Sequence, residues 1–260
     1  MQNSKKKLQL YAAILVPVCC ILYAVIIAGG MGIHGGSVFA LALMWVPGLA
    51  ALVAKLAVDG TPCGLGWRLS RRSLRYLGAA YLIPLGLCLA VYTLAWVTGL
   101  GARREADANE VFLFSSLGVL LTMAASLGEE IGWRGLLLTE LRKLLPTWQV
   151  HLVIGAIWFL YHAPLIVFSD YNNGNVPYSL VCFAVMVFGF TVLADTLCTR
   201  AGSLWPAVLL HAAHNVFVQS VFDRLTVNSP YTQYLTSEFG VGLAAGYALV
   251  ALFILKRESK

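Results

Sequence analysis

Hydropathy divides the chain into long, mostly apolar stretches separated by short polar connections. A helix that crosses a bilayer needs roughly 20 such residues. Eight stretches approach that length: 8–31, 37–58, 77–100, 111–127, 150–168, 178–197, 204–222 and 239–255. The fourth carries a polar extension over 128–143, which is expected to stay helical until Pro146 ends it. The pattern predicts an all-α fold, a polytopic membrane helix bundle with about eight transmembrane helices and no soluble domain. The whole of 1–260 reads as a single integral membrane domain, without repeats or low-complexity tracts. Connections 59–75, 101–110 and 169–177 read as loops, and Asn173-Gly174 marks a turn.

The first stretch follows Lys5, Lys6 and Lys7, as the apolar core of a signal peptide would. It is longer than the roughly 7–15 residues of such a core, and no A-x-A cleavage pattern follows it. It is read as a retained first helix.

Composition supports a membrane setting. Hydrophobic residues make up 59% of the chain and charged residues 12%, against roughly 45–50% and 25% in soluble domains. Mean hydropathy is +0.78. The net charge of +6 reads as a topology signal and gives no reason to expect a nucleic-acid partner. With the N- and C-termini cytoplasmic, Lys5, Lys6, Lys7, Lys55, Arg68, Arg71, Arg72, Arg75, Arg134, Arg142, Lys143, Arg200, Lys256, Arg257 and Lys260 share one side. Of the 18 basic residues, only Arg103, Arg104 and Arg224 then face the other side, a strong positive-inside bias. The chain is expected in the cell membrane as a multi-pass protein. The six cysteines, Cys19, Cys20, Cys63, Cys88, Cys182 and Cys198, form no C-x-x-C pair or metal-ligand spacing.

Ionisable residues inside membrane spans are costly and mark functional sites by default. Here they concentrate in three helices, as Glu129, Glu130 and Arg134, then His162, then His211 and His214, with the polar Asn215 beside them. Glu129, His162 and His211 are each expected near the middle of a span. Glu130 and Arg134, four residues apart, share a helix face and can pair. Glu129 is turned by about 100° from its neighbour, which leaves it as the free carboxylate. Gly128 and Gly132 form a small-xxx-small pattern that lets another helix approach beside the acids. His211 and Asn215 share a face. Pro164 and Pro206 are candidates for loosening the backbone near the site. A carboxylate in such a setting can act as a general base for water, a histidine can orient that water, and His and Asn can donate to an oxyanion. The residues alone reach a water-activating site inside a membrane bundle.

The three motifs resemble the CPBP family, the CAAX-protease and bacteriocin-processing group of intramembrane glutamic endopeptidases. Its pattern is EExxxR, then FxxxH, then HxxxN or HxxxD on successive helices. The first is matched by Glu129, Glu130 and Arg134, and the third by His211 and Asn215. The second departs, with Trp158 standing four residues before His162 where the family usually has Phe. The motif region spans about 105–225. The resemblance implies that Glu129 and His162 activate water, that His211 and Asn215 stabilise the oxyanion, and that Glu130 and Arg134 support the first motif. It implies peptide hydrolysis without a metal or other cofactor. The substrate would be a membrane-associated protein or peptide, prenylated or not, of CAAX type or of leader or bacteriocin type.

Three other functions fit part of the pattern. A zinc protease would use His and Glu ligands, although HExxH is absent. A transporter would hold midplane acids, although broken-helix repeats are not evident. A non-proteolytic immunity or scaffold protein would keep the fold. His214 is read as a neighbour of the site, His34 and His151 receive no role, and the oligomeric state is not legible.

Overall fold

The computed structural model describes residues 1–30 and 38–258. His34, the predicted span ends at Met31 and Ser37, and Lys260 of the basic set lie outside the described residues. Eight long helices follow one another: α1 Gln2–Ala28, α2 Val38–Asp59, α3 Arg71–Val97, α4 Ala108–Leu141, α5 Thr147–Phe168, α6 Val176–Ala201, α7 over 205–222 and α8 Val241–Glu258. The first six are long and apolar enough to cross a membrane. The seventh is diluted by His211, His214, Asn215 and Gln219. The eighth ends in Lys256, Arg257 and Glu258. The protein is an all-α, polytopic helix bundle. Its one departure among the described residues is a two-stranded antiparallel ribbon, β1 Gly101–Arg103 with β2 Thr226–Asn228, in the register Gly101↔Asn228. A single helical turn, Thr232–Leu235, precedes α8.

Short polar connections make the helices run alternately up and down. At one end, Lys7 meets Asp59 at 2.8 Å and Glu140 at 2.7 Å, Lys143 meets Glu140 at 2.8 Å, and Arg200 approaches Glu258 at 3.7 Å. The opposite end carries the ribbon, the 169–175 connection and the Arg224–Glu110 pair at 3.6 Å. Basic residues assigned to one side by sequence therefore meet at one end of the bundle.

Helix approach is controlled by missing side chains. A β-carbon at Gly128 would lie 2.6 Å from the Met44 carbonyl oxygen, and one at Gly132 would lie 2.6 Å from the Pro47 β-carbon. Gly48 on α2 faces the Gly128 carbonyl with no more room. The small-residue pattern thus docks α2 against α4 beside the two glutamates. Two stretches of α4, Phe114–Gly118 and Ile131–Leu137, and the Val216–Phe222 end of α7 are π-helical. The second begins directly after Glu130. Such wide turns recur at functional sites. Pro164 lies inside α5, whereas Pro206 sits in the first turn of α7, where its missing N–H removes no internal helix bond.

Candidate active site

The two adjacent glutamates of α4 have different surroundings. Glu130 is fully buried and accepts two hydrogen bonds from Arg134 Nη1, at 3.1 and 3.0 Å. His211 Nδ1 lies 2.9 Å from its Oε1. Arg134 continues the chain of charges through Nε to Asp195 Oδ1 at 3.1 Å, and Asp195 Oδ2 lies 2.8 Å from His151 Nδ1. The Arg134 guanidinium also covers the Trp158 ring at 4.7 Å. A lone buried ion is costly, whereas one held by opposite charges and hydrogen bonds is not. This network ties α4, α5, α6 and α7 together at the level of the motifs.

Glu129 is 2% exposed and has no cation within ion-pair distance among the described residues. Its carboxylate is not free of contacts, as the sequence had suggested. Oε2 accepts from two indoles, Trp133 Nε1 at 3.0 Å and Trp158 Nε1 at 2.9 Å. Trp133 reaches it from four residues along the same helix, and Trp158 from α5. Both donors converge on one oxygen, so neutral groups fix the carboxylate in orientation.

Glu129 lines a cavity of about 390 Å³, together with Trp158, His162, His211, His214 and Asn215. The cavity therefore joins the residues of all three motifs. It runs from Glu129 toward the end that carries 169–175 and 236–240, where Tyr171 and Glu238 also line it. That is the end opposite the Lys7–Asp59–Glu140 cluster.

The histidines are oriented by what their Nδ1 atoms meet. His162 Nδ1 lies 3.0 Å from the Trp158 carbonyl. A carbonyl only accepts, so Nδ1 carries the hydrogen and Nε2 of the neutral ring is an acceptor. By the same reasoning, His211 donates from Nδ1 to Glu130. His211 is the seventh residue of α7, nearer its start than the expected midpoint. His214 bonds outside the first motif. Its Nδ1 lies 3.0 Å from the Tyr247 hydroxyl, and its Nε2 is buried without a partner among the described residues. His151, near the start of α5, is buried against Asp195. Among the described residues, no three His, Cys, Asp or Glu side chains are grouped as a metal site would require.

Residues 111–217 match the family model for type II CAAX prenyl endopeptidases, Rce1-like. Over that segment, which carries the motifs, the chain is similar to the Rce1-like family. No curated protein matches the chain. At the level of the family, the match supports an intramembrane protease of the CAAX type, acting on membrane-associated proteins, and with the apolar helices it makes the chain a multi-pass membrane protein. The Rce1-like segment contains every motif residue and Asp195. Its one departure acquires a physical meaning in the fold, since a phenylalanine at 158 would pack in the same place but has no N–H to give Glu129.

Sequence reasoning missed three groups. Asp195 lies inside an apolar span and was the signal available for a buried partner of Arg134. The indole contacts depend on which face two tryptophans present. The third group is Glu238, with Tyr171 and Gln219, at the far end of the cavity. Tyr171 donates to Glu238 Oε2, and Gln219 donates to Oε1. Burial, together with the carboxylate beside it, pushes the Tyr171 hydroxyl well above the ordinary phenol range, so it remains a donor at neutral pH.

Proposed function

We propose that this chain is an intramembrane glutamic endopeptidase, in which Glu129 activates a water molecule against a peptide bond of a membrane-associated protein or peptide. The substrate is of CAAX type or of leader or bacteriocin type. Three further parts of the proposal are a cytoplasmic position for both termini, a site in the cell membrane and chemistry without a metal. The observation that carries the reading is that Glu129, a buried acid with no ion pair among the described residues, shares one cavity with His162, His211 and Asn215.

The chemistry follows from the atoms available. Water is held between the Glu129 carboxylate and His162 Nε2, the ring atom left as an acceptor by the Trp158 carbonyl. Glu129 takes a proton as the water oxygen bonds to the scissile carbonyl carbon. The negative charge on the carbonyl oxygen is met by the Asn215 amide N–H and by Nε2–H of His211 in its imidazolium form, whose charge Glu130 balances. Donors fixed in a dry site before the reaction lower the barrier most. The carbon–nitrogen bond then breaks, and Glu129 passes its proton to the departing amine. The new acid and new amine account for both parts of the water. Glu130, Arg134, Asp195 and His151 are positioning residues.

Cleavage of a peptide library by the purified protein in liposomes tests this reading, with prenylated and unprenylated C-termini and with Glu129→Ala at matched folding. Cleavage that persists with chelators and vanishes in the variant is expected. Cleavage lost to chelators and restored by zinc would replace the reading with a metalloprotease. A folded wild type that cleaves nothing would favour an immunity or scaffold role.

A further inference from the structure

The described residues include five buried acids: Glu129, Glu130, Glu140, Asp195 and Glu238. Three of them pair with basic side chains. Glu130 has Arg134 and His211, Glu140 has Lys7 and Lys143, and Asp195 has Arg134 and His151. The other two, Glu129 and Glu238, have no cation within ion-pair distance among the described residues, and both line the same cavity. The proposed hydrolysis uses Glu129. It has no use for Glu238.

Glu238 is 5% exposed and, among the described residues, its bonds come from neutral donors, the Tyr171 hydroxyl and the Gln219 amide, which line the cavity with it. Its backbone is fixed. Ser237 has φ of 64°, the only positive value at a non-glycine among the described residues, and its N–H donates to the Tyr92 hydroxyl at 3.1 Å. A non-glycine residue held there stores backbone strain, which persists where surrounding structure enforces it and clusters at ligand clamps. Among the described residues, no lysine or arginine lines the cavity. A negative peptide group beside Glu238 would meet a carboxylate bonded to neutral donors, whereas a positive one would offset the desolvation of Glu238.

We propose that Glu238 is a specificity-determining residue that receives a cationic group of the bound peptide, a basic side chain or a free ammonium, and so selects which peptide bond lies at Glu129. This rests on the protease reading. It adds that the peptide segment in the cavity is basic at one position and does not place a free C-terminal carboxylate beside Glu238. Neutral donors hold the carboxylate in place, and the substrate brings the missing charge.

The test uses the full protein in liposomes and peptides of one cleavable sequence, with Lys, norleucine or Glu placed at each position in turn. Free and acetylated N-termini separate an ammonium from a side chain. At one position the wild type is expected to favour Lys over norleucine by about tenfold in kcat/KM, with Glu poorest, or else to favour the free N-terminus. In Glu238→Gln the ratio should collapse to about one, with the loss falling on the cationic peptide. Equal use of Lys and norleucine everywhere, with no effect of acetylation, would overturn the proposal. So would a variant that slows all peptides alike, which is the signature of a purely structural carboxylate. Binding of the same peptides to Glu129→Gln separates the two ideas. If nothing is cleaved but cationic peptides still bind more tightly, the protease reading fails and this one stands. If Glu238→Gln does not fold, carbodiimide coupling of the Lys peptide to the unaltered protein decides. An isopeptide link at Glu238 is expected, and linkage only at other carboxylates would overturn the inference.

Discussion

Glu129 and Glu130 are neighbours on one helix, yet one faces a cavity and the other is sealed among charges. Glu130 meets Arg134 and His211, and through Arg134 it reaches Asp195 and His151. Glu129 meets only indole N–H groups among the described residues. Adjacent helix positions differ in direction by about 100°, which is enough to put one carboxylate into the interhelical network and the other into open space. The comparison teaches that placing an acid in a membrane does not by itself make a base. What matters is whether its charge is already neutralised. Glu130 holds the helices and His211 in place, and in the mechanism we propose Glu129 keeps the reactivity.

Substitutions that separate these two roles test the comparison. The largest effect is expected for Glu129→Gln, which should lower peptide cleavage by about 10³-fold or more, in the range of a lost general base. Its melting in detergent should stay near that of the wild type, because the new amide oxygen still accepts from both indoles. Glu130→Ala should do the reverse in stability. It leaves Arg134 with Asp195 alone, and breaking such a buried pair costs about 3–5 kcal/mol. Its melting should fall sharply, with activity lost along with folded protein. Asn215→Ala should lower kcat by about 10²-fold with little change in KM, as expected when an oxyanion donor is removed. The mildest case is Trp158→Phe, which keeps the aromatic packing but releases one hydrogen bond on Glu129. A fall in kcat of about tenfold, with melting nearly unchanged, would sharpen the contrast by showing that Glu129 needs its neutral donors. No change in kcat would assign Trp158 to packing alone.

Much of the fold was legible because a membrane helix is written locally. Runs such as 150–168 and 178–197 predict α5 and α6 to within a few residues, and Gly128 with Gly132 announces a close helix contact that α2 supplies. The i, i+4 spacing of Glu130 and Arg134 reads directly as the pair found. What crosses between helices was not legible. Asp195 is 61 positions from Arg134, and nothing in spacing says that α6 turns it toward α4. Trp158 looked like a volume match for phenylalanine, because hydrogen-bonding direction depends on helix rotation. Glu238 sat in a polar connection, where acids are ordinary, and only the fold brings it back into the cavity beside Tyr171 and Gln219. His151 was passed over for the same reason, its partner being 44 residues away.

The most direct test of Glu129 as the base that activates water is a single turnover in H₂¹⁸O with the protein in excess over a cleavable peptide, followed by mass spectrometry of product and protein. Attack by activated water is expected to place one ¹⁸O in the new carboxyl group on the first turnover and none in Glu129. A first product without label, with ¹⁸O in the Glu129 side chain, would show that the carboxylate itself attacks the peptide and would contradict the mechanism.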